Sequence, residues 1–240
     1  MSPIKQISDL LVYLFEGQSH VLAEPMEMWL TSSRRFASFV AEARDKIRKK
    51  IRVTRDKETL LDLRLELETA YQLLQEKSFS LVYEPPCEQG RCPDFAVSFT
   101  TSMTFMVEVT RLHTIQVGNV SPENDPLTDA ICSKLGQLLH QHSNVLIVGV
   151  PFLYLTPAEL QTAMLRLQQR AQRNDPAFWQ RYRLRDRADF FNRYQRLSEI
   201  IVRGPQVQAS DVIVWVNAQG KYPLPSKVRT ALYRSHSIEK

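Results

Sequence analysis

Hydrophobic positions recur every three or four residues through the first third of the chain. Phe36, Phe39, Val40, Ala43, Ile47 and Ile51 fall on one stripe with basic residues opposite, and Leu60, Leu63, Leu67, Ala70 and Leu74 form a second. Both patterns predict helices, the second leading into a short β-prone run from Phe79 to Tyr83. Pro85, Pro86, Gly90 and Pro93 then interrupt the pattern. Beyond them the period changes to two. Over residues 94–99, Phe95, Val97 and Phe99 share one face, while Asp94, Ala96 and Ser98 share the other. Over residues 104–110, Phe105, Val107 and Val109 oppose Thr104, Met106, Glu108 and Thr110. Thr100, Thr101 and Ser102 suit a hairpin turn. A loop of about three residues sets Asp94 almost opposite Glu108 on one face, whereas a one-residue slip would part them.

A third helix is expected over about residues 126–141, with Leu127, Ile131, Leu135, Leu138 and Leu139 on its buried stripe. Residues 145–150 are continuously apolar and β-prone, as in a strand covered on both faces. Strand, helix and buried strand then form a right-handed crossover unit. After Pro157 the pattern predicts helix to about Arg196, then a closing strand over Val212–Val216 and a last short helix after Pro225. The expected class is α/β, with a central mixed sheet of about four to five strands, a helix before it and a crossover helix within it. Residues 1–58 read as a helical extension, and residues 59–240 as the core domain with a helical insertion at about 156–200.

Composition narrows the function classes. The 240 residues are 43% apolar and 24% charged, an ordinary globular balance with enough chain for a sizeable core. The longest apolar stretch, about residues 145–155, is far short of the roughly 20 residues that span a membrane. Lys5, Asp9 and Glu16 break up the opening residues, unlike a signal peptide. The expectation is a cytoplasmic protein with no membrane partner. Cys87, Cys92 and Cys132 fit free thiols in a reducing compartment. A zinc knot at Cys87 and Cys92 is the alternative, but it lacks a second cysteine pair and a clear histidine. Glycine-rich phosphate loops and the His-Glu-x-x-His and Gly-x-Ser-x-Gly motifs are absent from the sequence.

The net charge of +5 matters less than its placement. Ten Lys or Arg lie between Arg34 and Lys57, and ten Arg with no Lys lie between Arg166 and Arg203. Aromatic residues are interleaved in the second stretch. Arginine pairs with phosphate and stacks on bases, so Arg181, Arg183 and Arg185 are candidate nucleic-acid contacts. The same spacing also describes a solvated helix face whose aromatics pack inward.

Asp94 and Glu108 carry the strongest chemical signal. Two carboxylates side by side on a sheet cost several kcal/mol unless a cation offsets them. Mg²⁺ or Mn²⁺ would do so, because a hard cation is satisfied by one or two carboxylates plus waters. The structural alternative has Asp94 capping the strand start and Glu108 paired with Arg111 or Lys134.

Pro93-Asp94-Phe95 followed by Val107-Glu108-Val109-Thr110-Arg111 resembles the motif of the PD-(D/E)XK nuclease-like (restriction endonuclease-like) superfamily. The resemblance spans about residues 60–150. Leu197-Ser198-Glu199 and residues 217–224 also look like members whose strand reads Glu-Val-Thr. It implies that Asp94 and Glu108 bind metal and that a lysine completes the site. Thr110 stands where that lysine is usual. Some members supply the amine from the next helix, which makes Lys134, with Gln137 one turn on, the candidate. A first-helix acid is also common, and Glu66 lies nearer the inner stripe than Glu68; Glu84 is a further acid within reach. The implied activity is metal-dependent hydrolysis of nucleic acid, with DNA ahead of RNA as substrate. The alternative is a nuclease-fold module that lost catalysis and binds nucleic acid or a protein. A homodimer formed through the N-terminal helices is a further expectation.

Overall fold

Four helices precede the first strand: α1 (Pro3–Phe15), α2 (Ala23–Ser32), α3 (Arg34–Val53) and α4 (Lys57–Leu73). The computed structural model describes residues 3–86, 92–100, 103–113, 125–151, 155–173, 175–204 and 212–236. Local chemistry sets the helix starts. The Ser33 side chain accepts from the Phe36 amide to open α3, and Asp56 accepts from the amides of Glu58 and Thr59 to open α4. The apolar stripe of α3 is buried as its spacing predicts.

The strands β1 (Phe79–Tyr83), β2 (Phe95–Phe99), β3 (Met103–Arg111), β4 (Asn144–Gly149), β5 (Leu197–Arg203) and β6 (Val212–Val216) make one mixed sheet, ordered as in the chain. β2 runs antiparallel to both β1 and β3. β4 runs parallel to both β3 and β5, and β6 returns antiparallel. The parallel β3–β4 pair is joined through α5 (Pro126–Leu135), and β4 leads to β5 through α6 (Pro157–Gln172), α7 (Pro176–Arg181) and α8 (Arg187–Tyr194). α9 (Ser226–Ser235) follows β6.

Alternation along the strands divides the core in two. Phe95, Val97, Phe105, Val107 and Val109 point to the side of α1–α4 and α9. Leu146, Val148, Ile200 and Val202 point to the side of α5–α8. The protein is therefore α/β, with a six-stranded mixed sheet between two helical layers and nine helices among the described residues. No helix among these residues is long and apolar enough to cross a membrane.

Two expectations about element boundaries need correction. Residues 197–200 fall within the stretch read as a helical insertion, yet they begin β5. Glu199 and Arg203 interrupt its apolar pattern, although both are buried. Their partners come from distant elements: Arg229 and Tyr233 for Glu199, Glu68 and Gln72 for Arg203. The crossover helix ends at Leu135 instead of near residue 141. Asn144 Nδ2 donates to the carbonyls of Leu139 and His142, at 2.9 and 2.8 Å, so that segment is held by a side chain and not by helical bonds.

Candidate functional site

The site is built from the strand register. Phe95 pairs with Val107, so Asp94, one residue before β2, stands opposite Glu108 of β3. The Val109 amide donates to Asp94 Oδ2 at 2.7 Å and fixes that carboxylate against the sheet. On the other side, the Glu84 amide donates to the Asp94 carbonyl at 2.8 Å, continuing the β1–β2 ladder by one residue. Three acids, Glu84 just after β1, Asp94 just before β2 and Glu108 within β3, thus follow one another across three neighbouring strands. Glu84 has a positive φ of 41°, which for a non-glycine residue is a strained conformation typical of constrained sites.

Glu108 is almost wholly buried, at 3% exposure. Its Oε1 accepts from Lys134 Nζ at 2.6 Å, and the same amine donates to Gln137 Oε1 at 3.1 Å. α5 makes this contact possible. Asp125 caps its start, Leu127, Ile131 and Leu135 face the core, and Lys134 leaves the edge of that stripe toward β3. The residue two beyond Glu108 is Thr110, so the amine reaches this carboxylate from the crossover helix and not from the strand. Glu108 Oε2 is buried and makes no well-formed hydrogen bond among the described residues, a costly state for a carboxylate oxygen.

Glu66 enters from α4. It is buried, and its Oε1 accepts from Lys50 Nζ at 2.6 Å. The same Lys50 amine lies 2.8 Å from Glu84 Oε1 and 4.9 Å from the centre of the Tyr83 ring. Lys46, one turn earlier on α3, donates to the carbonyls of Tyr83 and Glu84 at 2.8 and 2.7 Å. The spacing of α3 places its basic residues opposite the buried stripe, which does not single out Lys46 or Lys50. A signal existed: Lys50 lies beside Ile51 and three residues from Ile47, at the edge of the stripe. Glu68, the neighbouring acid on α4, turns away and pairs with Arg203 at 2.9 Å.

These groups hold one another's charge. Burial raises the Asp94 pKa to about 6; the Glu108 charge pushes in the same direction, while Lys134, the Val109 amide and Lys50 pull it down. Burial raises Glu66 to about 7, helped by Asp94 and resisted by Lys50. Glu108 is raised as well, by burial, against the pull of Lys134. For Lys50, burial favours the neutral amine, but Glu66, Glu84 and Asp94 outweigh it and the pKa is raised.

Three of these four carboxylates, Glu66, Glu84 and Glu108, therefore meet two ammonium groups in direct ion pairs, with Asp94 beside them. A divalent cation fits this surplus of negative charge, and Glu108 Oε2 is an oxygen such a cation could take. Among the described residues no three His, Cys, Asp or Glu side chains form a ready-made metal cage. Asp94 and Glu108 would supply two oxygens, with water or substrate completing the shell, which is how Mg²⁺ is commonly held.

The other candidates lie elsewhere. Arg181 and the Tyr182 hydroxyl both bond to Asp129 of α5. Asp129 precedes Lys134 by five residues, about 140° around the helix. Arg183 and Arg185 are exposed, the latter 3.9 Å from Asp189. The aromatic residues interleaved in the second basic stretch suit either base stacking or inward packing. Phe178, Trp179, Phe190 and Tyr194 are buried, so for these four packing accounts for the spacing. Cys132 is buried and Cys92 exposed, while Cys87 lies outside the described residues.

No protein-family model matches the chain, and no curated protein matches it. Among solved structures the chain is distantly similar to a CdiA-CT/CdiI toxin and immunity complex from Burkholderia pseudomallei. The identity is 15% and the TM-score 0.38, over 69% of this chain and 92% of the other.

Proposed function

We propose that the chain is a metal-dependent nuclease of the PD-(D/E)XK type, hydrolysing phosphodiester bonds in nucleic acid. The observation that carries this reading is half-buried Asp94 facing buried Glu108, with the Lys134 amine 2.6 Å from Glu108. Asp94 and Glu108 are the residues that would hold Mg²⁺ or Mn²⁺. When bound there, such an ion polarises the phosphoryl group and lowers the pKa of a coordinated water.

The chain's own residues supply the rest. Lys134 is held by Glu108 and by Gln137, so its ammonium is a positioned charge for the negative charge that builds on phosphorus. Gln137 fixes the amine and can orient a water beside it. Lys134 replaces the strand lysine whose place Thr110 takes. Glu66 and Glu84 belong to the same charged network and keep its negative potential. Arg183 and Arg185, being exposed, are suited to the nucleic-acid backbone, whereas Arg181 is engaged by Asp129.

The test is cleavage of plasmid DNA, linear DNA and single-stranded RNA with Mg²⁺ or Mn²⁺. Wild type should cleave at least one substrate and stop on chelation. Lys134→Met should lower the rate by about 100-fold or more, as loss of a positioned catalytic group does. Cleavage that survives both Asp94→Ala and Lys134→Met would exclude this assignment. The second reading, a binding module without catalysis, takes its support from Thr110 and from the compensation of Glu108 by Lys134 without metal. It expects salt-sensitive nucleic-acid binding and no cleavage.

A further inference from the structure

Lys50 does not belong to the strand-and-crossover constellation, yet it is as deeply engaged in the site as Lys134. Its amine contacts Glu66 at 2.6 Å and Glu84 at 2.8 Å, and its charge also acts on Asp94. It leaves the last turn of α3, where the unsatisfied carbonyl end of a helix favours a cation. Three features hold this pocket in shape. Lys46 ties down the carbonyls of Tyr83 and Glu84. Glu84 is kept at positive φ. The Tyr83 hydroxyl, in a residue only 3% exposed, lies against the Glu66 carboxylate. Its pKa is raised by burial and by the neighbouring carboxylates, Glu66 first among them, so it is a neutral phenol beside an acid pair.

The buried Glu66 carboxylate, the half-exposed Glu84 carboxylate and the Tyr83 hydroxyl beside Glu66 are oxygen-bearing surroundings a second divalent ion would use. The ammonium stands between the two carboxylates instead. We infer that Lys50 fills the place of a second cation, so that the site takes one divalent ion, at Asp94 and Glu108, and not two. This rests on the metal site proposed above, and it makes α3 part of the functional unit. An ammonium and a second ion cannot share Glu66 and Glu84 at these distances without like-charge repulsion. Removing the amine while keeping both carboxylates frees the pocket.

The experiment is Mn²⁺ stoichiometry on the full chain, by electron paramagnetic resonance of free Mn²⁺ and by calorimetry. Wild type and Lys50→Arg should bind one ion, and Lys50→Met two. Lys50→Gln, which keeps a donor for the carboxylates but drops the charge, serves if Lys50→Met does not fold, and should also bind two. Adding Glu66→Gln to either neutral variant should return the count to one. Two ions in wild type, or one in the folded neutral variant, would overturn the inference while leaving the Asp94–Glu108 site standing. No ion in wild type would overturn that site, and this inference with it.

Discussion

Asp94 ionises with little direct compensation. Its carboxylate has an amide donor in Val109 but no direct ion pair among the described residues, and its pKa is raised to about 6 by burial and by Glu108. A carboxyl raised above its unfolded value binds protons more tightly in the folded state. Its contribution to stability is complete below about pH 4 and is lost as pH rises through about 6. Glu66, raised to about 7, acts in the same sense over a window reaching about one unit higher. Wild type should therefore lose stability between pH 4 and pH 8. Asp94→Asn, which keeps an acceptor for the Val109 amide, should be more stable than wild type at pH 8 by about 1–3 kcal/mol. At pH 4 the two should be nearly equal. Thermal or urea unfolding at both pH values checks this, and an Asn variant less stable at pH 8 would argue against a strained acid. Lys134→Met should behave oppositely. It strands the buried Glu108 carboxylate, so it should destabilise by about 2–3 kcal/mol at pH 8. The loss should shrink as pH falls, because burial raises the Glu108 pKa and favours its protonated form.

At the scale of elements, β5 is joined to α4 by a buried ion pair that spans most of the chain. Arg203 lies 2.9 Å from Glu68 and also bonds to Gln72. Arg203→Met should cost about 2–4 kcal/mol, because it leaves Glu68 and Gln72 facing an apolar side chain. Urea unfolding should show a lower midpoint with an unchanged slope. This pair also shows where pattern reading stops. The alternation over residues 94–110 identified β2, β3 and their facing acids, because each strand buries one face more deeply than the other. The run over residues 145–150 marked β4 because both its faces are covered. β5 is equally covered, but Ser198, Glu199 and Arg203 hide it, since their partners lie far away in sequence. Lys134 was legible because it departs from the edge of an apolar stripe next to a strand acid. Lys50 was not singled out, since its position counts only once α3 is packed against β1 and α4. Glu84 was legible as an acid within reach, but not its positive φ, which no composition signal marks.

At the scale of the molecule, charge is distributed unevenly between engaged and exposed arginines. Arg181 is committed to Asp129, and Arg193 to Asp189 at 2.7 Å. Arg183 and Arg185 remain exposed. If nucleic acid lies on this face, Arg183→Ala and Arg185→Ala should each reduce the slope of log affinity against log salt by about 1. Arg181→Ala should change it less, because that guanidinium already has an anionic partner. Fluorescence anisotropy with a short duplex at several salt concentrations measures these slopes. Unchanged slopes in the double variant would move the binding surface elsewhere, with the basic face of α3 the next to test.

The whole account turns on whether Asp94 and Glu108 hold a divalent cation. Isothermal titration of the full chain with Mg²⁺ and with Mn²⁺, with and without a nucleic-acid ligand, tests it most directly. Wild type should bind, and both Asp94→Ala and Glu108→Ala should abolish binding while remaining folded. A folded wild type that binds neither ion under either condition would contradict the metal site and leave a binding module without catalysis.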